Sequence, residues 1–220
     1  MSLSDSATFP IRGRMAVKSQ LLPVDSRQSV RRHIRALRRN LAPLQRRKAA
    51  IELDRVIAAC PAYKRAKKIA LYWPADGEID LAPLVARSWN MGKHLYLPVL
   101  TTGRRGQLRF APYSRQVKLV NNRFGIPEPA PAAGKLLKAA QLDLLIMPLV
   151  AMDRQGNRLG MGGGYYDRTL QNIAGRAVGP VLMGAGYSFQ VVERIDRQPW
   201  DVTLDGLATD EGLHVVQSSR

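Results

Sequence analysis

Apolar positions along the chain follow two regimes. Val30, Ile34, Leu37 and Leu41 recur at spacings of four, three and four, which is one face of a helix. Asp25 and Ser26 stand where an N-cap is needed, and Pro43 closes the helix and opens a second one. At about 100° per residue the stripe has Arg27, Arg31 and Arg38 on its border and directs Arg32 and Arg39 into water. Border arginines can have their stems held by packing while their heads face a cleft, so they are the better candidates for a shaped anion site.

After the basic link 64–68 the period changes to short apolar runs alternating with helical stretches. Strands are expected over residues 69–73, 94–99, 107–111, 142–150 and 178–184, and helices over 81–89 and 166–173. The run 142–150 is apolar on both faces, as in a strand covered from both sides. The pattern predicts an α/β fold: a three-layer α/β/α sandwich with a mostly parallel sheet, Rossmann-like. Residues 1–24 carry Pro10, Gly13 and Pro23 and no sustained period, so they read as a flexible leader, with 25–215 as a single domain. Residues 127–134, with three prolines, read as a surface linker.

Composition narrows the classes. The chain has 220 residues, 45% of them apolar, enough for a buried core. No apolar run approaches the roughly 20 residues of a membrane span, and the first 20 residues lack the hydrophobic stretch of a secretory signal. Cys60 is the one cysteine, which excludes an internal disulfide framework and reads as inert packing. No membrane partner and a cytoplasmic address are expected. The net charge of +17 is concentrated: residues 27–68 hold 14 Lys and Arg against Glu52 and Asp54. Such a segment attracts phosphate on a nucleotide, a nucleic acid or a lipid surface, and charge alone does not choose among them. His33, His94 and His214 have no ligand spacing and read as structural or exposed.

The densest chemistry lies between Asp153 and Arg168. Gly160, Gly162, Gly163 and Gly164 follow a strand and a turn and lead into a helix. Glycines there let backbone N–H groups approach phosphate oxygens, and a helix start adds a favourable dipole. Neither a Gly-Lys-Ser/Thr phosphate loop nor a dinucleotide fingerprint is present. A glycine-rich turn is also ordinary loop geometry. Arg158 before it can neutralise phosphate and Asp167 after it can hold Mg²⁺, which favours the phosphate cradle.

Asn157-Arg158-Leu159-Gly160 followed by Gly162, Gly164, Tyr165, Tyr166, Asp167 and Arg168 resembles the signature of the 5-formyltetrahydrofolate cyclo-ligase family. Other blocks agree in order: Arg27-Gln28-Ser29-Val30-Arg31, Gly77-Glu78-Ile79-Asp80, Gly92-Lys93 with Leu97-Pro98, Gly125-Ile126-Pro127-Glu128-Pro129, Leu142-Asp143 and Trp200-Asp201. The resemblance covers about residues 27–210. It implies an ATP- and Mg²⁺-dependent ring closure of 5-formyltetrahydrofolate, in which the protein aligns reactants and neutralises charge.

Position by position, the resemblance implies ATP contacts from Arg27, Arg31 and the loop Arg158, Leu159, Gly160, Met161, Gly162, Gly163, Gly164, Tyr165 and Tyr166. Arg158 and Tyr166 are its implied catalytic residues. It implies folate contacts from Trp73, Glu78, Phe124, Met161, Gly162, Gly163, Gly164 and Tyr165, and magnesium positions at Asp167 and Asp201. Arg27 replaces a lysine common in the family, and Met161 and Gly163 stand where some members have Arg and Lys. A monomer is expected. Without the resemblance, Arg27 and Arg31 read as solvated charges, Trp73, Phe124 and Tyr165 as core aromatics, and Asp80 as a helix cap. A nucleic-acid-binding role for the basic helices, with Arg32, Arg39, Arg46 and Arg47 outward, and a non-catalytic folate- or nucleotide-binding relative are the competing functions.

Overall fold

A computed structural model describes residues 27–101, 106–130, 135–171, 173 and 179–216. The leader 1–24 and the Asp25-Ser26 cap lie outside them. Three helices come first: α1 (Arg27–Asn40), α2 (Pro43–Ala59) and α3 (Pro61–Arg65). Pro43 and Pro61 begin their helices, where a missing N–H removes no intrahelical bond. Then follow β1 (Lys68–Ala70), α4 (Ala82–Asn90), β2 (His94–Leu100), β3 (Leu108–Pro112), β4 (Leu119–Asn121) and β5 (Pro127–Pro129). The rest of the chain supplies β6 (Leu144–Met147), β7 (Ala151–Met152), β8 (Arg158–Leu159), α5 (Tyr165–Leu170), β9 (Val181–Gly186), β10 (Gly206–Thr209) and β11 (Gly212–Val215).

The main sheet has the order β11-β10-β9-β6-β1-β2-β3. The pairs from β10 to β2 are parallel, and both edge strands are antiparallel. Successive side chains divide between two cores. Ile69, Leu144, Ile146, Met183 and Ala208 pack with Leu53 and Ile57 of α2 and Leu84 of α4. Ala70, Leu145, Met147, Leu182 and Leu207 pack on the other face with Leu170 of α5, Phe110 and Leu204. The period of two in these buried strands thus builds an α/β layered fold with a mostly parallel sheet. The second face is covered by the short α5 and irregular segments, whereas α2 and α4 cover the first.

The chain leaves β1 toward β2 on one side, and β6 toward β9 on the other. The carboxyl ends of β1 and β6 therefore flank a topological switch point, where open α/β sheets form a crevice.

Several expected boundaries shift for physical reasons. Of the run 142–150 only Leu144–Met147 joins the main sheet, since Pro148 has no N–H for a ladder; β7 follows in a separate two-stranded sheet with β8. The strand over 69–73 keeps its ladder only to Ala70, since the chain turns into the switch-point loop. Residues 127–134 are not simply a linker: Pro127–Pro129 pairs antiparallel with β4 in a small hairpin, and 131–134 lie outside the described residues. The helix face also turns. Leu37 is 39% exposed, whereas Arg38 is 0% exposed beside Ile34. Arg27, Arg31, Ile34 and Arg38 lie on one inward face, so α1 docks largely through guanidinium groups.

A tight hairpin joins β7 to β8 and ends in a buried carboxylate. Asp153 Oδ1 accepts the N–H groups of Gln155 and Asn157 at 3.0 and 2.9 Å. Its Oδ2 accepts Asn157 Nδ2 and the Ile195 N–H at 2.8 and 2.9 Å. Gly156 in this turn has φ of 85°, and a Cβ there would lie 2.6 Å from the Leu204 carbonyl oxygen. Gly156→Ala is expected to destabilise the fold by about 1–3 kcal/mol. Thermal unfolding checks this at about 2–4 °C per kcal/mol for a chain of this size; an unchanged midpoint would contradict the strained turn.

Candidate active site

The switch-point loop after β1 supplies two carboxylates. Asp76 accepts Arg35 Nε at 2.6 Å, Arg38 Nη2 at 3.0 Å and Arg39 Nε at 2.7 Å. Although burial pushes Asp76 up, Arg35 and Arg39 hold its carboxyl below the usual range. Arg39 is therefore engaged rather than simply directed into water. Glu78 closes a local turn by accepting the Ala75 N–H at 3.0 Å, and Arg38 Nη1 lies 3.8 Å from its other oxygen. Burial pushes the Glu78 carboxyl up to about 7, against the Ala75 N–H and Arg38.

The second wall grows from β8. Its two residues point opposite ways: Leu159 packs in a core with Ala151 and Ile195, and Arg158 faces the cleft. Arg158 Nη2 donates to Asp167 Oδ1 at 2.9 Å, and its guanidinium lies 5.6 Å from the Tyr166 ring centroid. Arg31 Nε donates to the Gly160 carbonyl at 2.8 Å, so α1 holds the entrance of the glycine loop. Gly162, at φ of 105°, has open space where a Cβ would stand, which leaves its backbone open to a ligand. A Cβ at position 163 would press on the Tyr165 ring at 3.0 Å. Arg168 Nη2 donates to the Gly163 carbonyl at 2.7 Å and stacks over Tyr165. The loop's backbone is the main donor surface, because α5 has only six residues and a correspondingly weak dipole.

The third element is the segment before β10. Arg27 Nη1 donates to Asp201 Oδ2 at 2.8 Å, and the Gln198 N–H donates to the same oxygen at 2.9 Å. Despite burial, Arg27 and Gln198 hold Asp201 below its ordinary value. Burial and neighbouring Arg27 lower Arg31. The Val202 N–H reaches Asp167 Oδ1 at 3.4 Å, so the segment carrying Asp201 abuts Asp167. Among the described residues Asp167 Oδ2 and Asp201 Oδ1 take no part in these bonds. Two carboxylates with one oxygen each to spare suit Mg²⁺ held jointly with phosphate oxygens and water; the described residues contain no cluster of three or more His, Cys, Asp or Glu for a metal held by protein alone.

These walls enclose a cleft of about 1150 Å³. Of the residues expected at a site, Arg27, Arg31, Trp73, Glu78, Phe124, Arg158, Gly160 through Asp167, and Asp201 line it. Leu159 does not; its side chain belongs to the core. Phe124 is 57% exposed at the mouth, edge-on to Tyr165, and held by Arg123 over its ring. Asp80 is not the helix cap, a place taken by Leu81; it precedes the cap and accepts the Ala82 N–H at 2.9 Å. Asp76, Asn122, Arg168 and Trp200 line the cleft unanticipated. Trp200, 64% exposed, had a signal in its pairing with Asp201; Asp76 had one in its place two residues before Glu78.

A model of the 5-formyltetrahydrofolate cyclo-ligase family matches residues 23–210. The chain belongs to that family. It is 42% identical over 178 residues to a 5-formyltetrahydrofolate cyclo-ligase of Haemophilus influenzae, covering 81% of this chain and 94% of that one. It is 40% identical over 176 residues to the cyclo-ligase of Escherichia coli K12, covering 80% and 96%. The 5,10-methenyltetrahydrofolate synthetase of Aquifex aeolicus superposes with a TM-score of 0.75 at 33% identity, over 88% of this chain and 94% of that one. Cyclo-ligase family membership agrees with the mostly parallel α/β sheet and with the resemblance carried by residues 157–168.

Tyr166 contributes a buried hydroxyl with no hydrogen-bond partner among the described residues, at the wall of the cleft. Burial pushes its ionisation well above the ordinary tyrosine range, so it stays a neutral O–H. An unmade bond on a buried hydroxyl costs about 1–3 kcal/mol. Tyr166→Phe in the ligand-free protein is therefore expected to leave the unfolding midpoint unchanged or raise it by a few degrees. A fall of several degrees would show that the hydroxyl has a structural partner.

Proposed function

We propose that this protein is a 5-formyltetrahydrofolate cyclo-ligase that uses ATP to convert 5-formyltetrahydrofolate to 5,10-methenyltetrahydrofolate, releasing ADP and phosphate. One observation carries the reading: the cationic and glycine-rich wall of Arg27, Arg31, Arg158 and Gly160–Gly164 faces the same cleft as Glu78, Trp73 and Phe124. The first set suits a triphosphate and the second a flat, hydrogen-bonding ring.

The chemistry needs that adjacency. A formamide oxygen is a poor leaving group. Its attack on the γ-phosphorus, with cleavage of the bond to ADP, gives an iminium phosphate on N5. N10 then adds to the formyl carbon and loses its proton, and phosphate departs with the former formyl oxygen. The substrate supplies both nucleophiles, so the protein's tasks are alignment and charge neutralisation. Arg158 neutralises phosphoryl charge, and Tyr166 has a neutral O–H to donate to an oxygen. An ionised Glu78 accepts hydrogen bonds from the amino and N–H edge of the pterin. Asp167 and Asp201 would hold Mg²⁺, which supplies charge neutralisation at the phosphates.

The ion pairs Arg27–Asp201 and Arg158–Asp167 support this assignment. In the free protein each guanidinium and carboxylate compensates the other. Magnesium and phosphate together carry the same two signs of charge, so both partners can be exchanged without stranding a buried ion. Arg168 beside Gly163 brings a cation to the region where some family members have lysine.

Residues 25–215 form the functional unit in this reading, acting as a monomer in the cytoplasm. Among the described residues no helix is long and apolar enough to cross a membrane. Arg46 caps the carbonyls of Arg38 and Arg39, which leaves the exposed Arg32 and Arg47 for weak nonspecific nucleic-acid contact.

Purified protein with 5-formyltetrahydrofolate and Mg-ATP is expected to generate the methenyl product, followed by its absorbance. Asp167→Asn should remain folded and lower kcat by about 10²-fold or more. Folded protein that binds ATP without forming product would favour the non-catalytic alternative, and unchanged turnover in Asp167→Asn would remove the metal role.

A further inference from the structure

Helix α1 reaches both halves of the cleft. Arg27 and Arg31 stand at its anion-binding end, and Arg38 lies seven residues beyond Arg31, about 10 Å along a rigid helix. We infer that Arg38 is a positioning residue for folate recognition: it fixes the orientation and charge of Glu78 from beneath, without touching substrate. This rests on the reading of Glu78 as the acid that meets the pterin.

The arrangement has the character of a built support. Arg38 is 0% exposed. Its Nη1 donates to the Leu149 carbonyl at 3.2 Å and faces Glu78 Oε1 at 3.8 Å, and its Nη2 donates to Asp76 Oδ2 at 3.0 Å. Those acceptors come from the loops after β1 and β6, so one planar fork ties both sides of the switch point to α1. An ammonium cannot match that geometry. Asp76 is also held by Arg35 and Arg39, which leaves much of the Arg38 charge uncompensated by it and available to Glu78.

The groups facing Glu78 come from every neighbouring element. Arg38 approaches from α1, the Ala75 N–H, Asp76 and the Tyr72 hydroxyl from the segment after β1 that also carries Glu78, and the Tyr166 hydroxyl from α5. Both tyrosines are raised by burial and remain neutral near pH 7. Arg38 is thus the cation opposing burial and Asp76, and its loss moves ionisation of Glu78 to higher pH. For folding the sign is that of a raised acid: Glu78 stabilises the ligand-free fold most below its unfolded value near 4.5, and that contribution is lost as pH rises through about 7. For pterin recognition the sign is opposite, because the ionised carboxylate is the acceptor.

Full-length wild type, Arg38→Gln and Arg38→Lys are compared by two readouts. Carboxyl-carbon NMR of Glu78 in the ligand-free protein is expected to show titration near pH 7, displaced upward by about one unit in Arg38→Gln. The acidic limb of kcat/KM for 5-formyltetrahydrofolate should move with it, raising KM for folate about fivefold at pH 7 and about tenfold well below pH 7, with KM for ATP within twofold. Arg38→Lys should give a smaller displacement. In a Glu78→Gln background, Arg38→Gln should change KM for folate no further. Leu149 O keeps Gln190 Nε2 at 3.0 Å and Asp76 keeps two arginines, so each loses only one partner in the variant.

An unmoved Glu78 titration, equal increases in both KM values, or an Arg38→Gln effect undiminished in Glu78→Gln would overturn the inference. If Arg38→Gln does not fold, an Arg38→Lys titration identical to wild type overturns it. Absence of turnover in the wild type would instead count against the proposed function, which the NMR titration does not depend on.

Discussion

The site depends on how α1 is seated. Its inward face carries Arg27, Arg31 and Arg38, and each guanidinium meets an oxygen from a different loop: Asp201, the Gly160 carbonyl, and Asp76 with the Leu149 carbonyl. Exposed ion pairs contribute little, about 0–1 kcal/mol. A buried one is different, since removing one partner strands the other and costs about 3–5 kcal/mol. The Arg38 fork is buried, yet Asp76 keeps Arg35 and Arg39 and the Leu149 carbonyl keeps Gln190, so its acceptors are not stranded without it, while the Arg27 pair is only half-buried. One helix thereby combines a fixed anchor at its C-terminal half with exchangeable cations at its start.

The sheet explains why those oxygens lie together. Reversal of strand order between β1 and β6 opens a crevice at their carboxyl ends, and both adjoining loops enter it. Asp153 fixes the hairpin ahead of the glycine loop with four hydrogen bonds, which directs Arg158 inward as Leu159 goes to the core. The loop itself has little packing at Gly162, which leaves room for the anionic ligand proposed there. Rigid support and an open backbone are therefore segregated along one short segment.

Much of this was legible from residue order. Short apolar runs between helical stretches predict buried strands, and β6 and β9 are such strands, whereas β10 was not expected because Gly206–Thr209 is too short and glycine-led to stand out. Glycine spacing at 160–164, with Arg158 before and Asp167 after, located one wall of the cleft. What pattern could not supply was pairing across the chain. Arg38 reads as a border residue on a helical wheel, because the wheel assumes that apolar residues define the buried face; here carboxylates 38 and 40 residues away decide it. Pro148 was visible as the point where a strand ends ahead of the glycine loop, although the apolar run itself continues to Val150. Trp200 and Asn122 lie on segments with no periodic signal and reach the cleft only through tertiary packing.

In the proposed reaction the cleft brings the terminal phosphoryl of ATP onto the formyl oxygen of bound folate. Substrate labelled with ¹⁸O in the formyl group tests it directly. Mass spectrometry of the released inorganic phosphate should find one labelled oxygen per turnover, transferred from the folate. Unlabelled phosphate, with the heavy oxygen appearing in water, would contradict the account.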